Sequence, residues 1–139
     1  MRLLVSACLL GVCCRYDGQS KPCAAVIALK EKHELIPVCP EQLGGLPTPR
    51  PPAEIQGERI INSAGQDVTI QYQKGAEETL RLFRLLRCDA AILKAKSPSC
   101  GKGQVYDGTF SGTLTDGSGV TAELLEQNGI QVRTERNFQ

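Results

Sequence analysis

Three short apolar runs, each leading into a cysteine, constrain this chain more than any other feature. Arg2-Leu-Leu-Val-Ser6 runs into Ala7-Cys8, Glu34-Leu-Ile-Pro-Val38 into Cys39, and Ala90-Ala-Ile-Leu93 into a loop that reaches Cys100. Runs this short and this apolar, bounded by turn formers, read as strands buried on both faces, which is the habit of parallel sheets. Between the first two, Ser20-Lys-Pro22 opens a helix with proline in its first turn, where the missing N–H costs nothing. Cys23 to Leu29 is apolar throughout, so this helix is expected to be buried on most of its surface, with Lys30-Glu-Lys-His33 as a solvated tail. A strand–helix–strand of about 38 residues is the size of one βαβ unit with parallel strands.

The rest of the chain extends that unit. Gln42 to Ile55 carries Gly44-Gly45 and prolines 47, 49, 51 and 52, a stiff extended stretch suited to a docking segment or to a wall beside a site. Glu58–Asn62 and Asp67–Tyr72 flank Ser63-Ala-Gly-Gln66 and read as a hairpin. Ala76, Leu80, Phe83 and Leu86 share one face of a helix over 75–87, with Glu77 and Arg81 paired outside. Asp116 can cap a helix to about Asn128, closed by Gly129, and Ile130-Gln-Val132 is a final strand. The expected fold is a single domain over 1–139. It is a three-layer α/β/α architecture with a mainly parallel, Rossmann-like or flavodoxin-like sheet and a β-hairpin insertion. In the doubly wound order 2-1-3-4 the three cysteine-ended strands are neighbours, and ligands bind at their carboxyl ends.

Composition narrows the function classes. A net charge of +1 gives no electrostatic footprint for nucleic acid or an anionic membrane, and a chain without Trp offers little for base stacking along a strand. Seven cysteines, an odd number in a chain of this size, do not form a disulfide framework in a reducing compartment. Val5-Ser-Ala-Cys8 mimics a lipoprotein cleavage box, but the apolar block before it is far shorter than a signal peptide needs. No stretch is long enough to span a bilayer. The expectation is a cytoplasmic protein with reduced thiols. His33, the only histidine, is read as a surface residue, and Cys88 as plain core.

Placed at the same end of three parallel strands, Cys8, Cys39 and Cys100 can bring three sulfurs within several ångströms. Such convergence suits a metal or an iron–sulfur cluster, although separations of 31 and 61 residues match no zinc-ribbon or ferredoxin spacing, and scattered core cysteines are the plain alternative. Three protein ligands would leave one iron of a cubane open as a Lewis acid with an affinity for soft sulfur. On the first loop Cys13 and Cys14 compete with Cys8 for the ligand role.

Three blocks carry a family resemblance. Ser6-Ala-Cys-Leu-Leu-Gly with Cys14-Arg-Tyr-Asp-Gly18, Cys39-Pro-Glu-Gln-Leu-Gly-Gly-Leu-Pro-Thr-Pro-Arg-Pro-Pro-Ala-Glu54, and Lys96-Ser-Pro-Ser-Cys-Gly101 together resemble the DUF523 family, which includes thiouracil desulfurases. The resemblance covers nearly the whole chain. It implies a [4Fe-4S] cluster held by three cysteines, Cys8, Cys39 and Cys100, with one open iron. It also implies non-redox removal of sulfur from a small thiolated nucleobase such as 2-thiouracil, with release of hydrosulfide. In that chemistry Glu41 is the first choice for general base, and Ser99, beside Cys100, is a hydrogen-bond partner of substrate or water. Asp67 is a further catalytic candidate, Arg15 a substrate-binding one, and Asp17 another weaker candidate. The residues choose neither the particular base nor an oligomeric state.

Two other readings compete. Cys8 to Arg15 resembles the phosphate loop of a low-molecular-weight cysteine phosphatase. However, six residues separate cysteine and arginine where that loop needs five, and Cys39 and Cys100 are left without a task. A non-enzymatic protein that binds a metal or cluster is the second alternative.

Overall fold

Side-chain alternation along the cysteine-ended strands decides the layering. The computed structural model describes residues 1–138. In chain order the elements are β1 (Arg2–Ser6), α1 (Ala24–Ile27), β2 (Glu34–Val38), α2 (Pro40–Leu43), β3 (Ala53–Gln56), β4 (Arg59–Asn62), α3 (Thr69–Leu85), β5 (Ala90–Leu93), β6 (Gln104–Tyr106), β7 (Leu114–Asp116), α4 (Val120–Gln127) and β8 (Val132–Thr134). Short 3-10 turns occupy Ala7–Leu10 and Ala28–Glu31.

The central sheet is parallel, in the order β2-β1-β5-β8, with Ser6 opposite Val38 and Val5 opposite Ile92. Counting only its own strands, this is the expected 2-1-3-4 order. Leu4, Ala91, Leu93 and Val132 face one side and pack with Phe83 of α3 and Ala122 and Leu125 of α4. Leu3, Val5, Ala90 and Ile92 face the other and pack with Leu9 and Val26. Period-two alternation on strands that are apolar on both faces therefore builds the expected three layers. Cys88 lies in the first core, as expected.

Several expectations are corrected. The helix after Pro22 is one α turn followed by a 3-10 turn, and only Val26 of it is buried. Ala24, Ala25 and Ala28 are exposed, since alanine has little apolar area to bury and a single anchoring side chain suffices to cover the sheet. The expected hairpin partner is also wrong. β4 pairs antiparallel with β3, inside the proline-rich stretch, around a turn at Gly57. Only one bridge, Ile61 to Asp67, survives of the expected pairing. The segment after Asp67 is instead the start of α3. The Asp67 carboxylate accepts from the Thr69 amide at 3.0 Å and from its hydroxyl at 2.6 Å, and that hydroxyl accepts from the Ile60 amide at 2.8 Å. Val68, Tyr72, Ala76 and Phe83 are buried with helical period, while Ile70, which a strand would have buried, is 77% exposed. Arg81 pairs with Glu78, not Glu77. Asp116 belongs to β7 opposite Gln104, and Gly119 precedes α4. The last strand begins at Val132, two residues later than expected. Among the described residues no helix is long and apolar enough to cross a membrane.

Candidate active site

The carboxyl ends of β1, β2 and β5 open into a cavity of about 550 Å³. This is where a doubly wound sheet exposes loops from adjacent strands to one ligand. Four of the seven cysteines line it: Cys8, Cys14, Cys39 and Cys100. Cys13 is exposed and does not line it.

Each loop is fixed by backbone chemistry. After β1 a 3-10 turn carries Cys8, and Gly11 at φ +97° closes it. The Cys8 carbonyl accepts the Gly11 and Lys21 amides at 3.2 and 3.0 Å, which folds the 12–20 loop back and buries Cys14. The Cys39 thiol donates to the Cys14 carbonyl at 3.6 Å. After β5, the Ser97 hydroxyl accepts the amides of Ser99 and Cys100 at 3.0 and 2.8 Å. The first turn of α4 needs acceptors for its free N–H groups, and this same loop supplies them. Val120 donates to the Pro98 carbonyl, and Thr121 and Ala122 to the Ser99 carbonyl. Cys100 is thereby held between strand end and helix start.

The middle loop carries the acid. Cys39 is extended and Pro40 opens α2, so Glu41 sits in its first turn. α2 and α3 touch backbone to backbone at Gly44 and Gly75. A Cβ on Gly75 would lie 2.0 Å from the Pro40 carbonyl oxygen, and one on Gly44 would lie 1.9 Å from that of Gln71. This approach brings Tyr72 to Glu41, and its hydroxyl donates to Oε1 at 2.5 Å. Arg50 donates to the same oxygen through Nε at 3.2 Å. Its remaining donors bind the carbonyls of Pro47 and Cys14 and the Thr48 hydroxyl, so a nearly buried guanidinium ties the first loop to the second. Oε2 has no donor among the described residues.

Electrostatics favour neutral thiols unless a cation joins them. Burial pushes the Cys100 thiol up to about 12, against hydrogen bonds from Ser6 and Ser99. Cys39 is raised by its contact with Cys14 and by burial. For Cys14 the Cys39 contact works downward, but the Cys8 contact and burial outweigh it. Soft sulfur donors whose ionisation burial opposes, Cys39 and Cys100 among them, suit a thiophilic cationic group. Among the described residues no three ligand side chains gather tightly enough for one metal ion.

The structure brings Cys8, Cys39, Cys100, Glu41 and Arg15 to the cavity wall. Arg15 stands 3.8 Å from Asp17 and over the Tyr16 ring. Two expected residues are placed elsewhere. The Ser99 hydroxyl is buried against the Thr121 hydroxyl at 2.9 Å and lies behind the Cys100 sulfur at 3.9 Å, because α4 draws that residue inward. Asp67 caps α3, pairs with Arg59 and lines no part of the cavity. Sequence reading missed Tyr72, Arg50 and Ser97. Arg50 stands within the quoted Cys39–Glu54 block and Ser97 opens Ser-Pro-Ser-Cys, so both signals were present. Tyr72 left none, since its role depends on a contact between helices.

The family model of 2-thiouracil desulfurase matches residues 3–137. The chain is 44% identical over 146 residues to the uncharacterized protein YbbK of Bacillus subtilis (strain 168), covering 98% of this chain and 97% of that one. It superposes with a TM-score of 0.93 on a solved structure described as the [4Fe-4S]-dependent thiouracil desulfidase TudS (DUF523Vcz), at 47% identity, covering 99% of this chain and 92% of the other.

Proposed function

The chain belongs to the 2-thiouracil desulfurase family, and from that premise we propose that the cysteine-lined cavity is the active site of a [4Fe-4S]-dependent thiouracil desulfurase. The reaction exchanges the sulfur of a thiolated base for the oxygen of water and yields uracil, hydrosulfide and a proton. No electrons are needed. Cys8, Cys39 and Cys100 are the proposed cluster ligands, because each lies on the loop that follows one of three neighbouring parallel strands and lines the same cavity. Cys14 is the thiol left over. When bound, the cluster supplies a thiophilic Lewis-acidic iron not claimed by a protein ligand.

The chain's own residues supply the rest. Glu41 is the general base: Tyr72 and Arg50 hold Oε1 and leave Oε2 to take a proton from the attacking water. Burial opposes the Arg50 charge, but Glu41 beside it more than compensates, so the guanidinium stays charged and the carboxylate stays oriented. Ser97 replaces Ser99 as the hydroxyl available at the cavity. Its oxygen accepts two amides, and its proton is therefore free to donate.

The observation that carries this reading is Glu41, two residues after a cysteine ligand candidate and fixed by two donors on one oxygen. A scaffold that only stored a cluster would have no use for an oriented carboxylate beside it. Anaerobic reconstitution with iron and sulfide, followed by hydrosulfide measurement with 2-thiouracil, tests it. Wild type is expected to turn over, Cys39→Ser to lose the brown chromophore, and Glu41→Ala to keep the chromophore but lose turnover. A colourless protein after reconstitution, or turnover in Glu41→Ala, would sink the reading.

A further inference from the structure

The segment between β6 and β7 holds a bulky residue in an unfavourable backbone state. Phe110 has φ +56°, a region that non-glycine residues with large side chains rarely enter. Such strain persists only where the surroundings over-determine it, and it gathers at ligand clamps. Here the surroundings are explicit. Glu54 on β3, 9% exposed, accepts the Gly108 amide at 2.9 Å and the Phe110 amide at 3.2 Å. Gln56 donates to the Gly108 carbonyl at 2.8 Å. Asp107, Thr109, Ser111 and Thr113 form a chain of side-chain hydrogen bonds of 2.6 to 2.9 Å along the loop. Gly108, at φ +92°, comes so near β3 that a Cβ would lie 2.7 Å from the Ile55 carbonyl oxygen. A buried carboxylate on the hairpin thus pins a distant loop by its backbone.

The effect of the pinning is to present Phe110 at the cavity. Its side chain lines the wall and remains 39% exposed, whereas Phe83 is core and Phe138 is partly buried. The other aromatics of the wall are Tyr16, Tyr72 and Tyr106. Arg15 lies over the Tyr16 ring, and the Tyr72 hydroxyl is committed to Glu41. Phe110 is the wall aromatic without a polar end. An exposed apolar ring, held against backbone strain in a loop of Asp, Gly, Thr and Ser, calls for a flat partner.

We propose that Phe110 is the stacking platform for the planar ring of the substrate, and that Glu54 is the positioning residue that holds it. The inference deepens the desulfurase reading and rests on it for the choice of ring. Stacking acts on the ring and not on its sulfur, so it is shared by a thiolated pyrimidine and by uracil. It adds binding common to ground state and transition state, and so governs KM more than kcat.

In reconstituted holoenzyme, Phe110→Ala and Phe110→Leu should raise KM for 2-thiouracil about 10-fold, with kcat and the cluster spectrum little changed, while Phe110→Tyr should restore KM. Glu54→Ala should raise KM by a similar factor. Because the chain has no Trp, Phe110→Trp gives a single fluorophore at the platform. Its emission should shift on titration with uracil, and the additional Glu54→Ala change should weaken that response. Unchanged KM in both Phe110→Ala and Phe110→Leu, or an emission indifferent to uracil, overturns the proposal. If wild type fails to turn over 2-thiouracil while the Trp emission still answers to uracil, the desulfurase reading falls and the ring platform stands.

Discussion

Gly75→Ala separates two physical effects that have opposite signs. In the middle of an unencumbered helix, replacing glycine by alanine stabilises by about 0.5–1 kcal/mol, because the unfolded chain loses freedom it no longer has to surrender. Gly75 is encumbered. Its Cβ would stand 2.0 Å from the Pro40 oxygen and 2.8 Å from the Pro40 carbonyl carbon, and contacts below 3.0 Å are essentially never seen. Both atoms are backbone, so no side chain can rotate away. α2 must retreat from α3 by about 1 Å. Overpacking of this kind costs about 1–3 kcal/mol, so the clash outweighs the propensity gain and the variant is less stable.

The same retreat acts on the reaction. Glu41 follows Pro40 directly, and its Oε1 contact with Tyr72, 2.5 Å long, spans the gap being widened. A displacement of about 1 Å at a catalytic group costs about 100-fold in rate. Urea denaturation and hydrosulfide release from 2-thiouracil, compared at equal iron content, measure both effects. Gln73→Ala, exposed on the same helix, is the control and should leave both nearly unchanged. A Gly75→Ala protein more stable than wild type and within threefold in kcat would show that the α2–α3 contact does not position Glu41.

Other substitutions discriminate within the site. Serine at position 8, 39 or 100 should abolish iron retention on gel filtration of the reconstituted protein, whereas Cys14→Ser should retain it; loss of iron in Cys14→Ser with retention in Cys8→Ser would move the first ligand to Cys14. Ser97→Ala should lower kcat about 10- to 100-fold and also cost about 1 kcal/mol in denaturation by orphaning the Ser99 and Cys100 amides, while Ser99→Ala should cost about 1 kcal/mol by orphaning Thr121, with kcat nearly intact. Hydrogen bonds from the side chain and amide of Thr69, with Arg59 beside them, hold the Asp67 carboxyl down to about 2 from an ordinary 3.8. A depressed folded-state value means its contribution is present above the ordinary value and fades as pH falls from about 4 to about 2. Asp67→Asn should therefore flatten the fall of melting temperature across that window, and an unaltered slope would refute the assignment.

Most of the sheet was legible because its information is local. β1, β2 and β5 occupy the residues expected of them; β1 and β5 are buried on both faces as expected, whereas β2, at the sheet edge, buries only Val38. The failures have a common cause, an ambiguity of period that only tertiary contact resolves. Val68, Ile70 and Tyr72 alternate like a strand, yet Val68, Tyr72, Ala76 and Phe83 also recur like a helix. The hydrogen bonds of Asp67 and Thr69 decide for the helix. The proline-rich stretch hid β3 for the opposite reason. Prolines 51 and 52 stop just before Ala53, so a composition that argues against pairing ends where pairing begins.

The site divides along the same line. That Cys8, Cys39 and Cys100 reach one cavity can be read from sequence, because each lies on the loop after its own strand and parallel neighbours place those loops together. Orientation of the acid cannot be read that way. It depends on two glycines that let helices touch and on a tyrosine thirty-one residues from its carboxylate. It depends also on an arginine whose donors are divided among three segments. Ser99 shows how this misleads. Adjacent in sequence to Cys100, with its hydroxyl 3.9 Å from that sulfur, it still lies off the cavity wall, because the amides opening α4 take its carbonyl and Thr121 takes its hydroxyl. Ser97, two residues earlier, accepts the amides that shape the loop and so stays at the cavity. Sequence proximity to a ligand therefore says little about access to it; the backbone hydrogen bonds of the loop say which side chain is turned inward.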